Sequence, residues 1–313
     1  MSLGRYALRR FLEMIPVLFI VIFIVFLMLH LIPGDPAKNI LGIMATEERL
    51  QQLRQSLGLN EPLHKQFWVF LSNLGHGSLG ESIRYKSPVT QLIFSTRFTV
   101  TIWLLLLAAT FSVVISVPLS LWASKYRGRF PDYAARISSL FVFSMPEFWT
   151  GLVALNVLAL GLGWFPTRGW GTGFFDHLHH AFLPGLILGL FLTALITRTL
   201  RSDLLEVLQK EYIQTARTYG FSDRTVYLKY ALKNALLPTI TVLGLNLGYL
   251  LGATVVIETV FSLPGVGSLL MNAVIVRDYP LIQGISLVFA VAIMLNNYVV
   301  DIAYGFIDPR IYR

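Results

Sequence analysis

Apolar residues in this chain do not alternate with polar ones. They run together in long blocks separated by short polar islands. A helix needs about 20 apolar residues to cross the hydrocarbon of a bilayer. Residues 11–32 qualify, broken only by Glu13 and His30. Residues 98–124 carry no charge, 137–167 carry only Glu147, and 181–197 are short but clean. Residues 234–257 and 279–300 are also free of charge. These six blocks predict six transmembrane helices. A further apolar stretch, 259–276, holds Ser-Leu-Pro-Gly-Val-Gly at 262–267. Pro and Gly there predict a re-entrant or surface-lying piece, because non-helical backbone at membrane depth is tolerated only inside protein. Between the first two blocks, residues 46–56 place Leu50 and Leu53, with Leu57 just beyond, at helical spacing. Thr46, Glu47 and Glu48 form a start signal there. Residues 63–74 predict a second amphipathic helix.

The expected fold is therefore an all-α membrane protein in three parts: an N-terminal transmembrane helix (1–32), an off-membrane helical segment (33–97), and a core of five transmembrane helices (98–313). Composition agrees. Of 313 residues, 55% are hydrophobic and 13% charged, against about 25% charged in a soluble domain. In a soluble protein the net charge of +8 would invite a nucleic-acid reading, but in a membrane the placement of charge matters more. With the N-terminus inside, sixteen of the 25 Lys and Arg fall in inner segments. The short outer loops then hold only Arg168 and Arg277. Positive charge stays inside, so the expectation is N-in and C-in, with 33–97 extracytoplasmic. The first apolar block exceeds the 7–15 residues of a signal core, and no small-residue cleavage site follows it; it reads as a permanent helix. The chain has no cysteine, which removes disulfide and thiol chemistry.

Catalytic constellations are absent from the pattern. The spacing G-x-G-x-x-G at 75–80 lacks the flanking strand and helix of a dinucleotide site and reads as a loop. His177, His179 and His180 have only Asp176 as a further ligand type nearby, so a solvated loop outweighs a metal site. No G-x-x-x-x-G-K-[ST] motif occurs, so the chain should not hydrolyse ATP. Glu147, Glu258 and Asp301 lie in or near apolar blocks. Carboxylates in such positions are functional candidates, and an ion-driven carrier would use them. Each also lies near the end of a block, where capping or pairing is an equal reading.

The most informative segment is a polar island at 201–235. Residues 203–219 contain helix formers without Gly or Pro and predict one helix. Gly220 suits the left-handed residue after its end, and Ser222 suits the N-cap of a second helix. Tyr212, Ala216 and Gly220 recur every four residues and form one shallow stripe, flanked by Arg217 and Arg224. A solvated loop is the plain alternative. A DNA-binding helix-turn-helix shares the local pattern, but membrane blocks begin within about a dozen residues on each side. A docking element for a cytosolic partner fits best.

This segment resembles the EAA loop of the membrane subunits of binding-protein-dependent ATP-binding-cassette (ABC) importers, which forms their coupling helix. Glu-Ala-Ala falls on Gln214-Thr215-Ala216, so only the second Ala survives, and the family's Gly is Gly220. The later Pro is displaced to Asn-Ala-Leu-Leu-Pro at 234–238. Further stretches resemble the peptide/nickel branch along nearly the whole chain. They are Ile-Pro-Gly-Asp-Pro (32–36), Leu-Gly-Leu-Asn-Glu-Pro-Leu (57–63), Ser-Met-Pro-Glu-Phe-Trp (144–149), Glu-Thr-Val-Phe-Ser-Leu-Pro-Gly-Val-Gly (258–267), Arg-Asp-Tyr-Pro (277–280), and Asp301 through Asp-Pro-Arg (308–310). The short loop 164–182 is similar to that of glutathione- and nickel-type members. The resemblance implies the type I permease fold of the bacterial cytoplasmic (inner) membrane. It implies a second homologous permease, two cytosolic ATPases that carry the ATP and Mg, an extracytoplasmic solute-binding protein, contact with lipid and none with nucleic acid. No cofactor is implied in this chain. Peptides are the first expected cargo, then glutathione-like peptides, nickel or a metal chelate. Glu211, Tyr212, Thr215, Ala216, Arg217, Gly220 and Ser222 are the implied ATPase-coupling residues. Ser144, Pro146, Glu147, Glu258 and Asp301 are candidates for the translocation path or its gate.

Overall fold

The computed structural model describes residues 3–31, 37, 46–56 and 59–307. The motif at 32–36, positions 57 and 58 of the motif at 57–63, and the Asp-Pro-Arg at 308–310 lie outside the described residues. Among those described, the regular elements are helices, with one isolated bridge between Glu81 and Pro88. In chain order they are α1 (Leu3–Leu31), α2 (Glu47–Ser56), α3 (Leu63–Gly75), α4 (Val89–Ile93), α5 (Thr96–Lys125), α6 (Phe130–Ser144), α7 (Glu147–Ala154), α8 (Phe174–Val207), α9 (Glu211–Thr218), α10 (Asp223–Thr225), α11 (Leu232–Val260), α12 (Val266–Val276) and α13 (Tyr279–Ile307). Two π-helical stretches, Leu155–Gly161 and Val226–Ala231, extend α7 and join α10 to α11.

Among the described residues, five helices are long and apolar enough to cross a membrane, or six if one bent pair counts as a span. That pair is α6 with the α7 segment. The sequence predicts a single span over 137–167, but the chain turns by 102° between them. The cause is local. Pro146 has no N–H to continue the ladder and disfavours a helical conformation at the residue before it; Met145 is extended, with φ −90° and ψ 130°. The fourth block also differs: α8 begins at Phe174, well before 181, so the three histidines sit on its first turns rather than in a loop. The apolar piece 259–276 resolves into an 11-residue helix, α12, too short to span.

The core is built on α5 against α8. Ala108, Ser112, Ser116, Ser120 and Ser124 recur every fourth residue of α5, and all are buried. Without a hydrophobic drive between helices in lipid, close van der Waals packing of small residues holds such pairs. The approach is tightest at Gly189, where a Cβ would stand 2.6 Å from the Ala108 carbonyl oxygen. Ser120 Oγ donates to the Thr197 carbonyl at 3.1 Å.

Three polar ties fix the other helices. Asp132, at the start of α6, accepts from Arg201 Nε at 2.5 Å and Nη2 at 2.8 Å, and from the Gly128 N–H at 2.9 Å. Glu258, fully buried, accepts from Thr101 Oγ1 at 2.6 Å and from the Ser268 N–H at 2.8 Å, while Val266 N–H donates to Thr101 Oγ1 at 2.9 Å. The α12 N-terminus is thereby capped by α5 and α11. Asp278 accepts from Ser82 Oγ (2.5 Å), Ile83 N (3.2 Å), Arg84 N (3.0 Å) and Leu281 N (3.3 Å), pinning the turn 82–87 to the start of α13. The first helix, α1, lies outside this core. It meets α13 through Arg10–Asp301 (3.5 Å) and Phe11–Tyr298 (6.3 Å between ring centres). It also clasps Phe67 of α3 with Phe19, Phe23 and Phe26.

Breaking a buried ion pair by removing one partner costs about 3–5 kcal/mol. Asp132→Ala is therefore expected to lower the unfolding temperature of the purified protein markedly. Asp132→Ala combined with Arg201→Leu should recover part of the loss. An unchanged melting curve for Asp132→Ala would refute a structural role for the pair. Gly189→Leu is expected to keep α5 and α8 apart, seen as loss of protease-resistant protein; normal accumulation of that variant would contradict the packing described.

Candidate functional site

The polar island folds as a short helix between two turns, not as a direct continuation of α8. Helix α8 closes with Gln209 N–H on the Glu206 carbonyl (3.1 Å) and Lys210 N–H on the Val207 carbonyl (3.0 Å). Lys210 is extended, with φ −69° and ψ 147°, and α9 starts after it. The one helix predicted for 203–219 is thus two. No Gly or Pro marks the break; burial does. Ile213 and Ala216 turn inward to 0% and 6% exposure and join the core. A straight continuation of α8 would carry them away from that core.

This also corrects the stripe. Tyr212, Ala216 and Gly220 do not share one exposed face, because Ala216 packs inward while Tyr212 and Gly220 stay exposed. The free face of α9 carries Glu211, Tyr212, Gln214, Thr215, Arg217 and Thr218. Tyr219, 80% exposed, and Phe221, 47% exposed, extend it. Exposed Tyr and Phe beside Arg are residue types enriched at protein interfaces. The sequence reading missed Tyr219 and Phe221, although they flank its key glycine directly.

The turn after α9 forms as expected. Gly220 has φ +79°, a conformation open to glycine at little steric penalty. Gly220 N–H reaches the Arg217 carbonyl (2.9 Å) and Phe221 N–H the Ala216 carbonyl (3.2 Å), the paired bonds of a Schellman motif. Ser222 Oγ then accepts from Thr225 N–H at 3.4 Å and caps the next helix. Tyr227 backs this turn. Burial pushes its phenol above the usual range, opposed by the Arg217 guanidinium. At the other end the Glu206 carboxylate, 2.8 Å from Lys210 Nζ, raises that ammonium's pKa.

The candidate path residues do not converge. Ser144, Pro146 and Glu147 meet at the bend between α6 and α7, where Ser144 Oγ donates to the Leu140 carbonyl (2.9 Å). Glu258 is held by Thr101 and Ser268 at the cap of α12, and Asp301 faces Arg10. These two are a capping group and a pairing group, which leaves an ion-driven carrier without its expected free carboxylates at those positions. Glu147 differs. It lies beside the Tyr249 phenol of α11, and its Oε1 is buried without a hydrogen-bond partner. Among the histidines, His177 stacks on Trp170 (4.7 Å) and His180 Nδ1 is 3.2 Å from Asp176 Oδ1. Among the described residues no group of three His, Cys, Asp or Glu could hold a metal ion.

Comparison with known proteins agrees with this architecture. Residues 116–313 match the family described as "Binding-protein-dependent transport system inner membrane component". Residues 3–108 match the corresponding N-terminal family, "Binding-prot-dependent transport system membrane comp, N-term". The glutathione transport system permease protein GsiC of Escherichia coli K12 is 40% identical over 307 residues, covering 98% of both chains. Its counterpart in Salmonella typhi is 39% identical over the same span and coverage. Together with the polar helix, its glycine turn and the bundle of apolar helices, these matches show that the chain belongs to the binding-protein-dependent ABC importers, as a multi-pass permease component of the cytoplasmic membrane.

Proposed function

We propose that this permease forms half of an ATP-driven pathway for short peptides, with glutathione-like peptides the leading cargo. A second homologous permease encloses the other half of the path. Two cytosolic ATPases, which carry the ATP and Mg, bind α9 and its counterpart, with the N- and C-termini on the same cytoplasmic side. Residues 33–97 face outward and help receive the solute-binding protein. ATP binding and release switch the pair between outward- and inward-facing states by rigid-body motion. The relatives' printed function supports the cargo.

The observation that carries the ATPase reading is the exposed face of α9 with its left-handed turn. Coupling rests on shape, aromatic contact and Arg217, since Gln214 stands where the family's motif has Glu. A Cβ at Gly220 meets nothing within 4 Å, so bulk added there projects from the surface rather than into the core. Gly220→Trp is expected to leave membrane insertion intact and to abolish solute-dependent ATP hydrolysis in the reconstituted importer. Full transport with Trp at that position would sink the docking assignment. The importer reading itself is tested by gentle extraction of the tagged chain. An ATPase, a second permease and a binding protein should accompany it, and ATP should drive uptake in proteoliposomes. Solute flux by the purified chain alone would overturn it.

A further inference from the structure

A groove runs between α6 and α8, with a cavity of about 540 Å³, within the roughly 300–1,000 Å³ of small-molecule sites. Arg136, Arg198 and Arg201 all line this one cavity. Asp132 answers part of their charge: it is forked by Arg201 and lies within electrostatic reach of Arg136. Arg198 forms no ion pair among the described residues. One carboxylate therefore offsets three guanidinium groups, and the cavity keeps an excess of positive charge that attracts an anion.

A second observation comes from Thr197, in the same wall. It is 2% exposed, and its Oγ1 is buried with no hydrogen-bond partner. Thr193 and Thr199, on the same helix, donate to the carbonyls four residues back, Gly189 at 2.8 Å and Leu195 at 3.1 Å; Thr197 does not. A buried hydroxyl left unpaired is unfavourable, and an acceptor seated in the cavity would relieve it. Away from the arginines the wall turns apolar and opens outward. Leu140 and Phe143 line the cavity yet are more than half exposed, as are Ile137 and Phe141 beside them.

The level of the cavity in the bilayer follows from α8. Its uncharged block, 181–197, centres on residue 189, and Arg198 is the first charge beyond it. At 1.5 Å per residue Arg198 lies about 14 Å from that centre, at the edge of a hydrocarbon layer about 30 Å thick. The phosphates of one leaflet begin at that level, and its acyl chains fill the space beneath. We propose that the groove seats an anionic phospholipid of the inner leaflet, its phosphate held by Arg198 and Arg136, an oxygen of its glycerol region taking the Thr197 proton, and its acyl chains laid over Leu140 and Phe143. A peptide carboxylate would use the arginines equally well but would leave the exposed apolar row uncovered. A lipid uses both, as lipids do in basic pockets between membrane helices on the cytoplasmic side. Once bound, it ties α6 to α8 just ahead of α9. This inference rests on the cytoplasmic placement of α9 proposed above.

The test uses the assembled permease and ATPase complex in detergent, stripped of lipid and titrated with phosphatidylglycerol or with phosphatidylcholine of the same acyl chains. Native mass spectrometry counts the bound lipids, and thermal unfolding reads their effect. Phosphatidylglycerol should stay bound under activation that removes phosphatidylcholine, and should raise the unfolding temperature. Arg136→Gln with Arg198→Gln should weaken phosphatidylglycerol binding about tenfold, as expected for loss of charge-assisted contacts. Arg127→Gln with Arg129→Gln, basic positions outside the cavity lining, should not. If the first double variant fails to assemble, Thr197→Val decides. It should leave the unfolding temperature without lipid unchanged, because the hydroxyl has no partner in the protein, and should reduce the rise that phosphatidylglycerol gives. Equal retention of the two lipids, an equal loss in the Arg127 and Arg129 variant, or a Thr197→Val protein that responds to phosphatidylglycerol as the parent does overturns the proposal. So does displacement by tri-alanine, which would assign the arginines to cargo, or full protection by inorganic phosphate, which would assign them to a soluble anion. Neither readout uses ATP hydrolysis or uptake, so a failed titration leaves the importer reading standing.

Discussion

The contact that the remaining structure depends on is the close approach of α5 and α8. Lipid provides no hydrophobic incentive for two apolar helices to associate, so they hold together only where backbones come close enough for dense van der Waals contact. The buried line from Ala108 to Ser124 and the bare Gly189 allow that approach. Each Ser contributes little volume; Ser112 and Ser124 bond their hydroxyls locally and Ser120 bonds across the interface to Thr197. With that pair fixed, α8 becomes a 34-residue mast. It holds α6 through Arg201, carries the Trp170–His177 stack near one end, and presents α9 at the other.

Much of this was legible in the amino-acid sequence, and the part that was not has a common cause. The apolar blocks announce themselves because each is a local property. The Gly220 turn and the Ser222 cap are legible for the same reason: left-handed backbone and a hydroxyl ahead of a helix are decided by one or two residues. The break at 208–210 was not, because it follows from the distant core that Ile213 and Ala216 join. The bend at Met145 was half legible. Pro146 stood in plain view, but a proline inside an apolar block is compatible with either a kinked span or a sharp turn. Asp132–Arg201 and Ser82–Asp278 join residues 69 and 196 apart, and no local pattern announces such partners. The four-residue repeat of small side chains in α5 was present, hidden by a block that is apolar on every side.

Charge inside an apolar bundle has been handled in distinct ways. Asp132 is neutralised by a forked guanidinium and Asp301 by a looser one. Glu258 is spent on capping a short helix whose backbone would otherwise be left without partners away from water. These solutions hold elements in place. Glu147 is half-buried at a bend, meets the Tyr249 phenol and keeps one oxygen, Oε1, without a partner.

The polar ties at Asp278 and Glu258 also constrain the order in which the protein can come together. Thr101 and Ser82 belong to the early part of the chain, while their partners lie 157 and 196 residues later. A chain made from its N-terminus forward must hold the turn at 82–87 and the start of α5 unsatisfied until α11 and α13 exist. The last-made helices therefore act as the latch of the fold, and a ribosome that stalls before residue 278 leaves behind a chain that cannot be locked shut.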